Sequence, residues 1–223
     1  MPHKSAIATW SGGKDSCLAA YKAMKAGYTI SYLANTVSRE YKRVRFHGVE
    51  DTLIQKQAKA IGIPLLQQET TAKWYWKEFT ANLRKGFRKP IEGVVFGDIH
   101  LEECFEWSQK VCTDLSVHLV EPLWQKKPET ILEEFINLGF EAIIVSAQAN
   151  LFGKEWVGKT IDKSFLVDIK KLKGIDVCGE NGEYHSLVLN GPMFKQKINI
   201  LKSKPLYRDG YWFLDIQKYR LNS

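Results

Sequence analysis

Ser11-Gly12-Gly13-Lys14-Asp15-Ser16 decides how this chain folds. Ser5-Ala6-Ile7-Ala8-Thr9-Trp10 precedes it, short and apolar enough for a buried parallel strand. Cys17 to Gly27 follows, alanine-rich and closed by glycine, which predicts a helix and its stop. Strand, glycine turn and helix together offer backbone N–H groups and a positive helix end to a phosphate. Gly12 and Gly13 allow a tight turn and let a phosphate approach the main chain. Ser11 and Ser16 supply hydroxyl donors, and Lys14 supplies charge. Asp15 is read either as a helix cap or as a ligand for magnesium. A glycine turn alone is common in α/β proteins; two serines, a lysine and an aspartate around it favour the phosphate site.

The chain has 223 residues, enough for one large domain or two small ones with a real core. Apolar content of 44% and charged content of 26% place it among ordinary globular proteins. No apolar run approaches the roughly 20 residues of a membrane span, and the N-terminus lacks a signal-peptide pattern. The expectation is a cytoplasmic protein with no membrane partner. Cys17, Cys104, Cys112 and Cys178 are scattered, with no CxxC pair, so reduced thiols are expected rather than disulfides or a zinc knuckle. The net charge of +7 hints at a polyanion such as ATP or RNA, but the basic residues are spread along the chain and no direct nucleic-acid site is evident.

Outward from the loop, the first half alternates strand and helix, the pattern of a Rossmann-like, doubly wound parallel sheet. A second strand is expected over Thr29–Val37. The basic loop 38–48, with Arg43, Arg45 and His47, reads as a mobile segment near the nucleotide or as a solvated surface loop. A helix from about Asp51 ends at Gly62-Ile63-Pro64, and Leu65-Leu66 opens a third strand. Trp74, Trp76, Phe79 and Leu83 suit the core face of a further helix. The strand Ile91–Phe96 ends at Gly97-Asp98. Ligands of open parallel sheets lie beyond such strand ends, so Gly97 is read as nucleotide-binding and Asp98 as a metal or ribose contact or a helix cap. Leu101, Cys104, Phe105, Cys112 and Leu115 predict the next helix, and Val117–Val120 a fifth strand.

A boundary near Trp124–Lys127 divides the chain into residues 1–126 and a smaller α+β unit over 127–223. Pro128 starts a helix with Ile131, Leu132, Phe135 and Leu138 inward, and Glu141–Val145 forms a buried strand. Short strands are expected around Ser186–Leu189, Ile198–Leu201 and Tyr211–Ile216. Gly153-Lys154-Glu155-Trp156-Val157-Gly158-Lys159-Thr160 matches the Walker A pattern letter for letter. Five residues separate it from the preceding strand, and Trp156-Val157 are too bulky to wrap phosphates, so it is rejected as a phosphate loop; Lys159 stays a candidate substrate contact. A second polar cluster, Cys178-Gly179-Glu180-Asn181-Gly182-Glu183-Tyr184-His185, precedes a strand. It reads as a turn into a hairpin or as a binding loop. In the second reading Glu180 and Glu183 grip a cation or orient an amine, and His185 accepts a proton.

Ser11–Ser16 directly after the first strand resembles the PP-loop of the ATP pyrophosphatases. With Gly158-Lys159-Thr160-Ile161-Asp162, the Cys178–Tyr184 cluster and Gly191-Pro192-Met193-Phe194 in the same order, the chain resembles the diphthine–ammonia ligase family. The resemblance implies a PP-loop nucleotide-binding domain of HUP type followed by a substrate domain. It implies ATP as co-substrate, magnesium with it, and ammonia joined to the carboxylate of diphthine on translation elongation factor 2 through an acyl-adenylate. Ser11, Gly12, Gly13, Lys14, Asp15, Ser16 and Gly97 would bind the nucleotide, with Lys14, Asp15 and Asp98 catalytic. Because diphthine carries a quaternary ammonium, Glu180, Glu183, Tyr184 and His185 would receive the substrate.

Two segments depart from that family. Ile99-His100-Leu101-Glu102-Glu103 stands where its archaeal and eukaryotic members carry a basic Tyr-Gln-Arg segment, and His185-Ser186 where eukaryotic members carry Glu-Thr. The same chemistry on a small carboxylate, in a cell without diphthamide, is therefore an alternative. A nucleotide-binding module without turnover is another. A tRNA-thiolating enzyme is disfavoured because paired cysteines are absent.

Overall fold

The computed structural model describes residues 4–44 and 47–222. Arg45, one of the basic residues of the 38–48 loop, lies outside them.

Alternating apolar runs and amphipathic stretches produce the expected βα order in the first half. The elements are β1 (Lys4–Thr9), α1 (Lys14–Lys25), β2 (Tyr28–Ser38), α2 (Asp51–Ile61), β3 (Leu65–Thr70) and α3 (Tyr75–Arg84), then β4 (Gly93–Val95), α4 (Glu102–Leu115) and β5 (His118–Val120). The five strands are parallel in the order β3-β2-β1-β4-β5. The order reverses between β1 and β4, so a crevice opens where their carboxyl ends diverge, as in other doubly wound sheets. Gly97-Asp98, just past β4, and Ser11–Ser16, just past β1, both lie at that crevice. Gly62 takes the left-handed conformation (φ +82°) that stops α2, as the sequence predicts.

The second half contributes α5 (Pro128–Asn137), β6 (Glu141–Gln148), α6 (Lys163–Ile169), β7 (Tyr184–Asn190), β8 (Ile198–Arg208) and β9 (Tyr211–Leu221). Its sheet runs β7-β6-β9-β8 with antiparallel pairing. One continuous apolar core joins the two sheets, with Leu18, Leu33 and Leu53 meeting Ile144, Phe165 and Leu187. A second cluster, Ile7, Phe79, Leu83, Val94 and Val111, fills the space under α3 and α4.

Several elements differ from expectation. Trp74 is not on the core face of α3; it precedes the helix, half exposed, with the Lys73 and Lys77 ammonium groups over its ring. Leu101 is the N-cap residue of α4 rather than part of its inner face. The last two strands pair over eleven residues each, far longer than the short strands expected. α6, capped where Asp162 accepts the Phe165 N–H at 2.9 Å, was not foreseen. All four cysteines are free thiols. Among the described residues no helix is long and apolar enough to cross a membrane.

Candidate active site

The PP-loop residues turn sharply and are stitched to β7. Gly12 has φ +84°, and a Cβ there would lie 2.5 Å from both Gln57 Oε1 and Ile54 Cδ1. Its carbonyl accepts the Val188 N–H at 2.9 Å and Gln57 Nε2 at 2.9 Å. Gln57 is wholly buried; it also donates to the Val188 carbonyl at 2.7 Å and accepts the Trp10 indole N–H at 3.1 Å. One glutamine thus fixes the loop, the strand before it and the facing sheet. The Lys14 backbone N–H, first of α1, donates to Ser186 Oγ at 3.1 Å, and Gly13 N–H to Ser11 Oγ at 3.2 Å. The Ser11 and Ser16 hydroxyls stand 3.1 Å apart.

Ser11, Asp15, Ser16 and Ser186 line one side of a cavity of about 370 Å³, within the usual range for small-molecule sites. Its walls include Asn35 and Thr36 from β2, Phe96, Gly97 and Asp98 beyond β4, and Glu180, Tyr184 and His185 from the second half. Gly97 is required by close approach: a Cβ would sit 2.9 Å from the Asp15 carbonyl carbon, in the first turn of α1. Burial raises the Asp98 carboxyl; its Oδ2 accepts the Ser108 hydroxyl at 2.7 Å, so Asp98 is not a helix cap. Glu121, one residue past β5, is pushed up to about 8 by burial and by Asp98 beside it. Glu180 Oε1 accepts the Ile99 N–H at 2.9 Å, and burial pushes its carboxyl up to about 7.

Lys14 borders the cavity but is almost wholly buried. Its side chain is 4% exposed, with the ammonium on the Asp15 carboxylate at 2.9 Å, on the Cys178 carbonyl and 4.9 Å from the Tyr184 ring centre. Burial opposes its charge, but Asp15, Tyr184 and Cys178 together raise its pKa, so it stays an ammonium. Lys14 therefore ties the 11–16 loop to the 178–184 turn. Among the described residues, buried Asp15 Oδ1 has no hydrogen-bond partner.

The second cluster divides. Glu180, Tyr184 and His185 line the cavity; Glu183 does not. Glu183 is 4% exposed and accepts the Asp176 N–H at 2.9 Å and Asn181 Nδ2 at 3.2 Å, a support for the turn. Tyr184 donates its hydroxyl to the Val177 carbonyl at 2.6 Å, and the cation over its ring is Lys14. The His185 ring lies 4.9 Å from that of His47. Burial lowers both, His185 well below its ordinary value and His47 to about 4, so both are neutral at neutral pH. His47 Nδ1 meets the Ser186 carbonyl at 2.9 Å, which places its proton on Nδ1 and leaves Nε2 an acceptor.

Gln57, Ser186 and Glu121 were missed by sequence reasoning. A signal existed for Gln57: it sits on the same α2 stripe as Leu53, Ile54 and Ile61, where a polar residue must be paired.

No residue of the Walker-like octet lines the cavity. Lys159 Nζ pairs with Asp168 Oδ2 at 2.5 Å and stands 4.6 Å from the Trp156 ring centre. Its carbonyl accepts the Ile144 N–H at 3.0 Å, and Gly158 N–H donates to the Ile144 carbonyl at 2.8 Å. The segment lies along β6 instead of opening a helix.

Comparison with known proteins gives the family. Residues 4–119 match the diphthamide synthase N-terminal domain, and residues 127–221 match the diphthamide synthase C-terminal domain. A human protein named diphthine–ammonia ligase is 30% identical over 218 residues, covering 87% of this chain and 82% of its own length. The rat protein of the same name is 30% identical over 236 residues, covering 95% of this chain and 88% of its own. A solved chain described as a predicted tRNA methyltransferase subunit from Methanocaldococcus jannaschii has 14% identity and a TM-score of 0.46, over 84% of this chain and 97% of that one. With a domain model on each half and relatives aligned over most of its length, the chain belongs to the diphthamide synthase family.

Proposed function

We propose that the chain is an ATP-dependent amide ligase that joins ammonia to the carboxylate of diphthine on elongation factor 2, releasing AMP and pyrophosphate. The observation that carries this reading is one cavity lined both by Ser11, Asp15 and Ser16 from a glycine–serine loop at a helix N-terminus and, facing them, by the half-buried carboxylates Asp98 and Glu180. Residues 1–126 would bind the nucleotide and residues 127–223 would bring Glu180 and His185 to the substrate.

Ser11, Gly12, Gly13 and Ser16 would hold the β and γ phosphates, where main-chain N–H groups and hydroxyls meet negative charge in a shielded site. Asp15, with one buried oxygen unpaired, fits a magnesium ion, which would offset charge on the departing pyrophosphate. The substrate carboxylate attacks the α phosphorus, pyrophosphate leaves, and ammonia then displaces AMP from the acyl group. Asp98 would contact the ribose or the metal. Glu180, titrating near neutrality, is suited to draw a proton from an incoming ammonium. The neutral His185 offers a second proton acceptor, and Tyr184 shapes the wall through Lys14.

The test is to supply ATP, ammonium and diphthine-bearing elongation factor and to identify the products. AMP, pyrophosphate and amidated factor are expected. ADP and phosphate would overturn the reading. Turnover with a small carboxylate but not with the factor would move the enzyme to the alternative substrate class.

A further inference from the structure

The β8–β9 ribbon is the region that folding explains least. Residues 201–210 are all exposed. Three of the large apolar side chains left exposed among the described residues, Leu201, Leu206 and Tyr207, sit on β8 alone. Residues 198–221 carry five cations, Lys202, Lys204, Arg208, Lys218 and Arg220, against two carboxylates, Asp209 and Asp215.

Strand register gathers those cations. Lys202 lies directly opposite Lys218, Asn199 opposite Arg220 and Arg208 opposite Tyr211. Alternation puts Lys202, Lys204 and Arg208 on one face of β8, and Arg220 shares the face of Lys218. Like charges opposed across a ribbon destabilise it. Lys204 faces Asp215 in register, yet among the described residues no carboxylate lies within ion-pair distance of Lys202, Lys204, Lys218 or Arg220. The ribbon therefore bears a charge pattern that costs stability, and among the described residues only Arg208, paired with Asp209, is offset by a carboxylate.

β8 is the edge of its sheet, but Pro205 and the lysines oppose addition of another strand, so a partner would sit on the ribbon's face. At the turn end Arg208 stands over the rings of Tyr41 (5.7 Å) and Phe213 (5.1 Å). Those residues border a second cavity of about 270 Å³ that shares Val44 with the reaction cavity. The cationic face thus leads to the wall of the site.

We propose that this face of the β8–β9 ribbon docks the protein that carries the carboxylate, through an acidic surface of that protein. The inference rests on the ligase reading above, because a carboxylate borne on a protein needs a holding surface outside the cavity and a free acid does not. Of the exposed apolar side chains Leu206 shares the face of the lysines, and an apolar side chain rimmed by cations matches the composition of protein–protein contacts. Surfaces built for a phosphate backbone are more uniformly polar.

The experiment measures binding of the full chain to diphthine-bearing elongation factor 2 at low and high salt, with an RNA duplex as competitor. The parent is expected to bind with an affinity that falls as salt rises. The variant K202E/K204E/K218E should bind roughly 10-fold more weakly or worse, with KM for the factor raised and KM for ATP unchanged. Lys218→Glu alone turns the opposed lysines into an attractive pair. Its melting temperature should hold or rise while binding weakens, which a merely destabilised ribbon would not show. The proposal is overturned if the parent does not bind the factor, if the charge-reversed chain binds it like the parent, or if the RNA duplex displaces it. A chain that binds but forms no AMP keeps the docking surface and loses the ligase reading; one that amidates the factor regardless of charge reversal does the opposite.

Discussion

Ser11–Ser16 and Gly153–Thr160 are both glycine–lysine stretches, and the molecule uses them in opposite ways. The first leaves β1 at once and opens α1, so its main chain turns toward the crevice with a helix N-terminus behind it. The second starts beyond the end of β6, passes through a single 3-10 turn and then lies along β6 with its lysine paired to Asp168. What separates them is the strand each one follows. A parallel strand that ends at a topological switch delivers its loop to a ligand, whereas a segment returning along an antiparallel strand spends its main chain on that neighbour. The lysines diverge as well: Lys14 is buried as a tie between halves, and Lys159, 29% exposed, pairs with Asp168 away from it.

The largest test of that contrast is at Asp15 and Ser16. Asp15→Ala or Ser16→Ala should lower AMP formation by roughly 1,000-fold, read by pyrophosphate release. A change of less than 10-fold would break the assignment of the first stretch to phosphate chemistry. Next comes Gly12→Ala, which puts a Cβ into Gln57 and Ile54 at a positive φ. A loss of about 2 kcal/mol in urea denaturation is expected, where Gly158→Ala, with only Leu214 Cδ1 at 3.5 Å, should lose less.

Glu180 sharpens the comparison through pH. Its folded pKa of about 7 lies above the ordinary 4.5, so the folded state holds the proton more tightly and loses stability as pH rises between those values. Glu180→Gln should melt higher than the parent above pH 7 and equally below pH 4.5, while losing activity; equal melting across that range would refute the burial of its charge. The smallest effect belongs to Lys159→Ala. ATP binding should change less than about 2-fold, the scale of an exposed ion pair, and a strong loss would revive a second phosphate loop.

The parallel sheet was legible because its central strands, β1 and β4, are short apolar runs and its helices end at glycine or proline signals. The antiparallel ribbon was not. Its outer stretch, Lys202-Ser203-Lys204-Pro205-Leu206-Tyr207-Arg208, carries no alternation of buried and exposed positions, since nothing covers it, and proline in an edge strand reads as a break. The candidate site divides in the same way. Of the residues singled out by local pattern, Ser11, Lys14, Asp15, Ser16, Gly97 and Asp98 line one cavity, while Gly12 shapes the turn behind it. Glu183 was expected to touch substrate but supports a turn, because a glutamate in a polar cluster looks the same whether it faces a cavity or a backbone N–H. Gln57 and Ser186 escaped notice because their partners are main-chain atoms far away in the chain, which no local window contains.

The seam between the Gly12 carbonyl and Val188 has an evolutionary corollary. Grafting the latter half of one homologue onto the former half of another succeeds only if the donor strand brings a hydroxyl at position 186 and main-chain spacing that meets the loop. Substrate range in such proteins should therefore diversify through surface drift around a conserved joint, not by shuffling of modules.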